Sequence, residues 1–206
     1  MTGFILFMDR MSAWVGKTFA WCIVILMAAT SYEVFVRYVL RDPTPWAFDI
    51  SYIMYGTLFV MGGAYTLSRD GHVRGDVFYR LWKPKTQAKV ELTLYLLFFF
   101  PGILALIVAG WDFARESWSY NYGTGEVSIN SPAGVPISQF KTVLPIAGVL
   151  LLLQGMAQVC RCIVCLRTGK WPAHLEDVEE MESILQHQHE DEIQTKAALG
   201  LDDGRK

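Results

Sequence analysis

Four long apolar runs, Phe19–Tyr38, Ile50–Leu67, Leu92–Trp111 and Val143–Cys160, set the pattern of this chain, each holding 18 to 20 residues. The last three contain no charged residue. A helix rises about 1.5 Å per residue, so each run is long enough to cross the roughly 30 Å hydrocarbon core of a bilayer. The pattern predicts an all-α integral membrane protein with four transmembrane helices. The first run continues apolar beyond Ala28-Ala29-Thr30. That exceeds the core of about 7–15 residues found in a secretory signal, so an uncleaved span is expected.

Composition and charge refine this picture. Residues of the apolar set make up 52% of the chain and charged residues only 18%, where soluble domains carry about 25% charged residues. The charge is also unevenly placed. Residues 1–170 hold 15 Lys/Arg against 10 Asp/Glu, and residues 171–206 hold 3 against 10. Two parts are expected: a four-helix transmembrane domain over 1–170 and an acidic tail over 171–206. In the tail, Leu175, Val178, Met181 or Glu182, and Leu185 follow helical spacing, which predicts a short amphipathic helix. Its acidity would keep it off an anionic leaflet.

Eleven Lys/Arg fall before span one, between spans two and three (Arg69 to Lys89) and just after span four; only Arg37, Arg41, Arg115 and Lys141 fall on the other side. Cytoplasmic loops carry the excess of positive charge, so both termini are expected in the cytoplasm. Outside would then lie a tight connection around Leu40–Phe48 and a loop of about 27 residues, Arg115–Lys141. In the first, Thr44 is placed to cap the second span with Pro45 at its first helical position. The second has an aromatic near end, Trp118, Tyr120 and Tyr122, read either as an interfacial belt or as a docking surface.

A few polar residues inside the runs need an account. Glu33 and Arg37 sit four apart, the favourable order for an intrahelical pair. A charge at mid-bilayer costs about 2.5–3.5 kcal/mol, so span one should bury this face against protein. Asp49 lies at the start of span two, where the positive helix end favours an anion, and pairing with Arg37 or Arg41 is compatible with that. Gly56, Gly62 and Gly63 read as a packing face, and Pro101-Gly102 suggests a kink. Cys160, Cys162 and Cys165 do not share one helix face, so they read as small helix residues and not as a metal site. No catalytic, cofactor-binding or metal motif is present. No nucleic-acid partner is expected.

Glu33-Val34-Phe35-Val36-Arg37-Tyr38 resembles a signature of the small membrane subunit of tripartite ATP-independent periplasmic (TRAP) transporters. So does the stretch from Trp46 and Asp49 through Gly62-Gly63-Ala64 to His72-Val73-Arg74-Gly75-Asp76. The likeness covers roughly residues 10–168 and leaves the tail out. That family often has two adjacent acids shortly after the tryptophan, whereas here Phe48 precedes Asp49 and one acid remains. The resemblance implies a small permease subunit in a bacterial inner membrane. It would work with a large multi-span permease subunit and a periplasmic substrate-binding protein, taking up an organic acid on a sodium gradient. It implies subunit packing or assembly at Glu33, Arg37, Tyr38, Trp46, Asp49, Gly62, Gly63, His72, Arg74 and Asp76. Docking of the binding protein would fall to Asp42, Thr44, Trp118, Tyr120, Tyr122 and Glu126. Two other readings stay open from the residues. One is a small proton-coupled multidrug exporter using Glu33, although Arg37 one turn away hampers proton exchange. The other is a four-span membrane glutathione-dependent enzyme with a basic site in Arg69–Lys89.

Overall fold

Each apolar run seeds a helical pass that overshoots it at both ends. The computed structural model describes residues 2–69, 79, 82–130, 132–172, 185 and 189. His72, Arg74 and Asp76 lie outside the described residues, as does nearly all of the tail. The first compact unit is Met1–Ala173; of the second, His174–Lys206, only Leu185 and His189 are described, both exposed.

The first pass is built from α1 (Thr2–Ala20), one loosened residue at Trp21, α2 (Cys22–Phe35) and a π-helical turn at Val36–Leu40. Helix α3 (Ala47–Ser68) returns. The third pass comprises α4 (Pro84–Leu94), a second π-helical turn (Tyr95–Phe99) and α5 (Phe100–Gly123), and α6 (Ser138–Thr168) completes the set. Among the described residues four helices are thus long and apolar enough to cross a membrane. Among the described residues the β pairing consists of one isolated antiparallel bridge, Val127 with Pro136.

The overshoot has a physical source at each end. Helix α5 runs on past Trp111 because Ala114 and Ser117, a turn apart, are buried as it packs on α6. Trp118 and Tyr120 therefore lie on a helix, and the connection is shorter than the Arg115–Lys141 loop read from the sequence. Its backbone is held by Glu126 N–H to Ser117 C=O at 3.0 Å and Ser128 N–H to Val135 C=O at 2.8 Å. At the other end, α6 continues past Cys160 to Gly169, whose φ of 77° lets its N–H close back on Cys165 C=O at 2.7 Å. Arg161, counted above as a loop cation, is consequently inside the helix and 0% exposed.

The expected kink in span three takes a different form. Pro101 has no N–H and crowds the carbonyl four residues earlier. The chain absorbs this with the π-helical turn at Tyr95–Phe99, just before the proline, where Phe100 N–H reaches Tyr95 C=O. Helix α6 is the hub of the bundle and packs on α1, α3, α4 and α5. Its own Pro145 fits against Gly110 of α5, where even a methyl group would touch the ring at 3.4 Å. The up-and-down order brings α1, the α4 start and the α6 end to one end of the bundle. The 36–46 turn and the 124–137 connection lie at the other.

Candidate functional site

At the end of the bundle holding the 36–46 turn, the sequence-predicted residues fall into two clusters. The first is a staple around Glu33. Arg37 donates to Glu33 Oε1 from Nε at 2.8 Å and from Nη2 at 2.5 Å. Thr44 donates to Oε2 from its backbone N–H at 2.9 Å and from its hydroxyl. One carboxylate thus ties the last helical turns of span one to the turn that follows. Helix α3 starts at Ala47 after Trp46, with no side-chain cap. The proposed Thr44 cap is therefore corrected: an ionised carboxylate is the stronger acceptor, and it draws the threonine away from the helix end. Trp46 instead stacks on Tyr32 with ring centroids 5.9 Å apart. Arg41, next to this turn, takes a left-handed φ of 58°. Tyr38 and Asp42 are exposed.

The second cluster clamps the connection between α5 and α6. Asp49 is 0% exposed and accepts from Ser128 Oγ at 2.6 Å; it is Glu33 that holds Arg37. Glu126 pairs with Lys141, whose ammonium also sits over the Phe113 ring at 4.1 Å. Trp118 Nε1 donates to Thr142 Oγ1 at 2.8 Å, and Tyr120 is exposed. Tyr122 is helical within α5.

The Lys141 ammonium holds the Glu126 carboxyl below its ordinary range. Its folded value is depressed, so the stabilisation is complete above the ordinary carboxylate value of about 4.3 and is lost as pH falls through the lower folded value. Hydrogen-exchange protection of the 125–137 amides should therefore be flat from neutrality to about pH 5 and decline below about pH 4. Glu126→Gln should flatten that decline. An unchanged decline in the variant would assign the acid sensitivity elsewhere.

The predicted glycines divide. A Cβ on Gly56 would lie 2.5 Å from the Phe140 ring, so this position is a tight contact with α6. Gly63 would meet only Leu151, at 3.7 Å, and Gly62 would meet nothing within 4 Å. Among the described residues Gly62 therefore packs against nothing. Three more tight helix contacts lie at glycines not singled out above. A Cβ on Gly16 would be 2.5 Å from Tyr65, on Gly148 2.7 Å from Ile107 and on Gly155 2.3 Å from Phe99.

At the opposite end lies a buried polar chain that sequence reasoning missed. Asp9 of α1 and Arg161 of α6 form an ion pair, both side chains 0% exposed. Gln154 donates to Asp9 Oδ1 at 2.8 Å and accepts from Ser12 Oγ at 2.8 Å. Arg161 Nη1 donates to Gln158 Oε1 at 3.2 Å, and Gln158 donates to Glu91 of α4 at 3.3 Å. Cys162 Sγ lies 3.6 Å from the same Glu91 oxygen, which explains its burial without a metal. The signal was present: Gln154, Gln158 and Arg161 are spaced four and three apart, on one face of α6.

Residues 26–165, most of the chain from within α2 to near the end of α6, match the family described as "Tripartite ATP-independent periplasmic transporters, DctQ component". The chain belongs to that family. It is also similar to the sialic acid TRAP transporter small permease protein SiaQ of Vibrio cholerae, with 22% identity over 134 residues, covering 65% of this chain and 72% of that one. A DctQ component is a transporter permease subunit and not an enzyme, so the glutathione-enzyme reading falls. The exporter reading finds no support either, since Glu33 is held from two sides by Arg37 and Thr44. Within this small permease subunit, α1 precedes the matched residues. Asp9 therefore belongs to a part of the chain that the family match does not cover.

Proposed function

We propose that this small permease subunit is the membrane scaffold of a binding-protein-dependent, sodium-gradient-driven uptake system for an organic acid. Its partners are a large multi-span permease subunit and a periplasmic substrate-binding protein. It sits in the bacterial inner membrane with both termini cytoplasmic, the orientation supported by the excess of Lys and Arg on that side.

The observation that carries the scaffold reading is the state of the carboxylates. Asp9, Glu33, Asp49 and Glu91 each accept hydrogen bonds from side chains of this same chain. Each of these four is already engaged within this chain, which supports placing the ion and substrate sites on the partner. The half-exposed Arg37 guanidinium and the unoccupied space over Gly62 are surfaces for that partner. Asp49, Tyr38 and Trp46 support the same side of the assembly, with His72, Arg74 and Asp76 proposed to contribute to assembly as well. In this orientation Asp42, Thr44, Trp118, Tyr120, Tyr122 and Glu126 stand at the periplasmic end, where the binding protein docks.

Arg37→Ala tests the reading. The yield of complex co-purified with the large subunit in mild detergent should fall several-fold. The apparent substrate affinity of the complex that remains should be unchanged. Normal yield combined with a raised apparent affinity constant would move Arg37 from assembly to transport and contradict the scaffold role.

A further inference from the structure

The first helical pass is longer than a membrane requires. It spans Gly3–Leu40, 38 residues or about 57 Å. Helix α2 and its π-helical turn alone rise about 28 Å, which already fills the hydrocarbon core. Helix α1 is therefore surplus to the crossing, and it holds three charged residues, Asp9, Arg10 and Lys17.

One side of α1 is committed to protein. Ile5, Met8, Asp9, Ser12 and Ala13 are buried. Gly16 abuts Tyr65 near the end of α3, while Ser12 and Asp9 reach Gln154 and Arg161 of α6. The opposite side, continued to Trp21 just past its end, carries Phe7, Arg10, Trp14, Lys17 and Trp21, at alternating spacings of three and four. The three aromatics are 61%, 71% and 70% exposed. Arg10 and Lys17 are exposed and form no ion pair among the described residues. The helix's one acid is turned inward onto Arg161, so its outward charge is purely positive.

Neither bulk phase suits this stripe. Water leaves three large rings uncovered, and hydrocarbon strands two cations. The headgroup layer accommodates both. At 100° per residue the cations lie about 50° round the helix from the ring line. With the rings sunk between lipids, the cations can therefore reach up to the phosphates. We propose that the outward stripe of α1 meets the headgroup layer and binds anionic phospholipid, with Arg10 and Lys17 on the phosphates and Phe7, Trp14 and Trp21 between the lipids beside them.

The test uses the full chain, reconstituted in vesicles of equal parts phosphatidylcholine and phosphatidylglycerol, with one of the two lipids carrying brominated acyl chains. Bromine quenches nearby indoles, and the contribution of Trp14 and Trp21 is isolated by comparison with a Trp14→Phe/Trp21→Phe chain. Brominated phosphatidylglycerol should quench these two tryptophans more than brominated phosphatidylcholine does. Each cation near the surface contributes about fivefold to local enrichment of the anionic lipid. The preference should therefore collapse in Arg10→Gln/Lys17→Gln, survive in Arg10→Lys/Lys17→Arg and weaken in high salt in the unaltered chain. Equal quenching by both lipids in the unaltered chain would overturn the proposal, as would a preference that survives the glutamine pair. Absence of quenching by either lipid would also overturn it and place a protein on this face.

Discussion

Asp9→Ala is expected to lower the stability of the purified chain by roughly 3–5 kcal/mol, the largest single-site effect predicted from this structure. The reason is the isolation of its partner. Arg161 is 0% exposed, and it also donates to the neutral amide of Gln158. Its Nε has no acceptor among the described residues. Removing the carboxylate strands a permanent buried cation at that end of the bundle and also leaves the Gln154 amide without its acceptor. Arg161→Met should be comparably harmful, because Asp9 then becomes the stranded charge. The double change Asp9→Leu/Arg161→Met removes both charges, and replacing a buried pair by apolar groups is often neutral. Here the recovery should be partial: Gln154 and Gln158 each lose a partner, at about 1–3 kcal/mol apiece. Denaturation in mixed micelles can measure all three variants. Strong coupling between the single changes is the expected result; additive small losses would mean that water reaches the pair.

The position of this pair shows which parts of the molecule could be read from residues and which could not. The four passes were legible because crossing a bilayer imposes a minimum apolar length, and apolar length is a local property of the sequence. The Glu33–Arg37 pair was legible for a similar reason: four residues apart on one helix, it needs no knowledge of other elements. Its second function was not legible. That Glu33 also takes Thr44 away from the α3 start depends on where the turn places the threonine, which is a tertiary fact. Asp9 and Arg161 lie outside the apolar runs, where charge is ordinarily solvated, and 152 positions separate them. Only the packing of α1 along the α6 end makes them a pair. The glycines teach the same lesson. Small residues permit close approach, but sequence does not say from which direction the neighbour comes. Gly62 and Gly155 are chemically identical in the text of the chain and opposite in their surroundings.

That contrast yields the second large effect. Gly155→Leu should destabilise the subunit by about 3 kcal/mol, at the upper end of overpacking costs. Even the first carbon of the new side chain would sit 2.3 Å from Phe99 Cε1, with Cδ1 and Cζ at 3.1 Å. The ring has little freedom to move aside. It is packed against Tyr95 at a centroid distance of 4.8 Å and against Phe100 at 5.8 Å, within and beside the π-helical turn that accommodates Pro101. Adding Phe99→Ala should restore much of the loss by vacating the space the leucine needs. Gly62→Leu should behave differently. With no neighbour within 4 Å among the described residues, the isolated subunit should keep its stability or gain slightly, since glycine is about 1 kcal/mol poorer than a good helix former in a helix interior. If the large subunit packs over Gly62, the same change should abolish co-purification while leaving the unfolding of the isolated subunit untouched. A Gly62→Leu chain that still assembles fully would direct the search for the assembly seam away from this face of α3, toward the exposed Arg37 in the π-helical turn that follows α2.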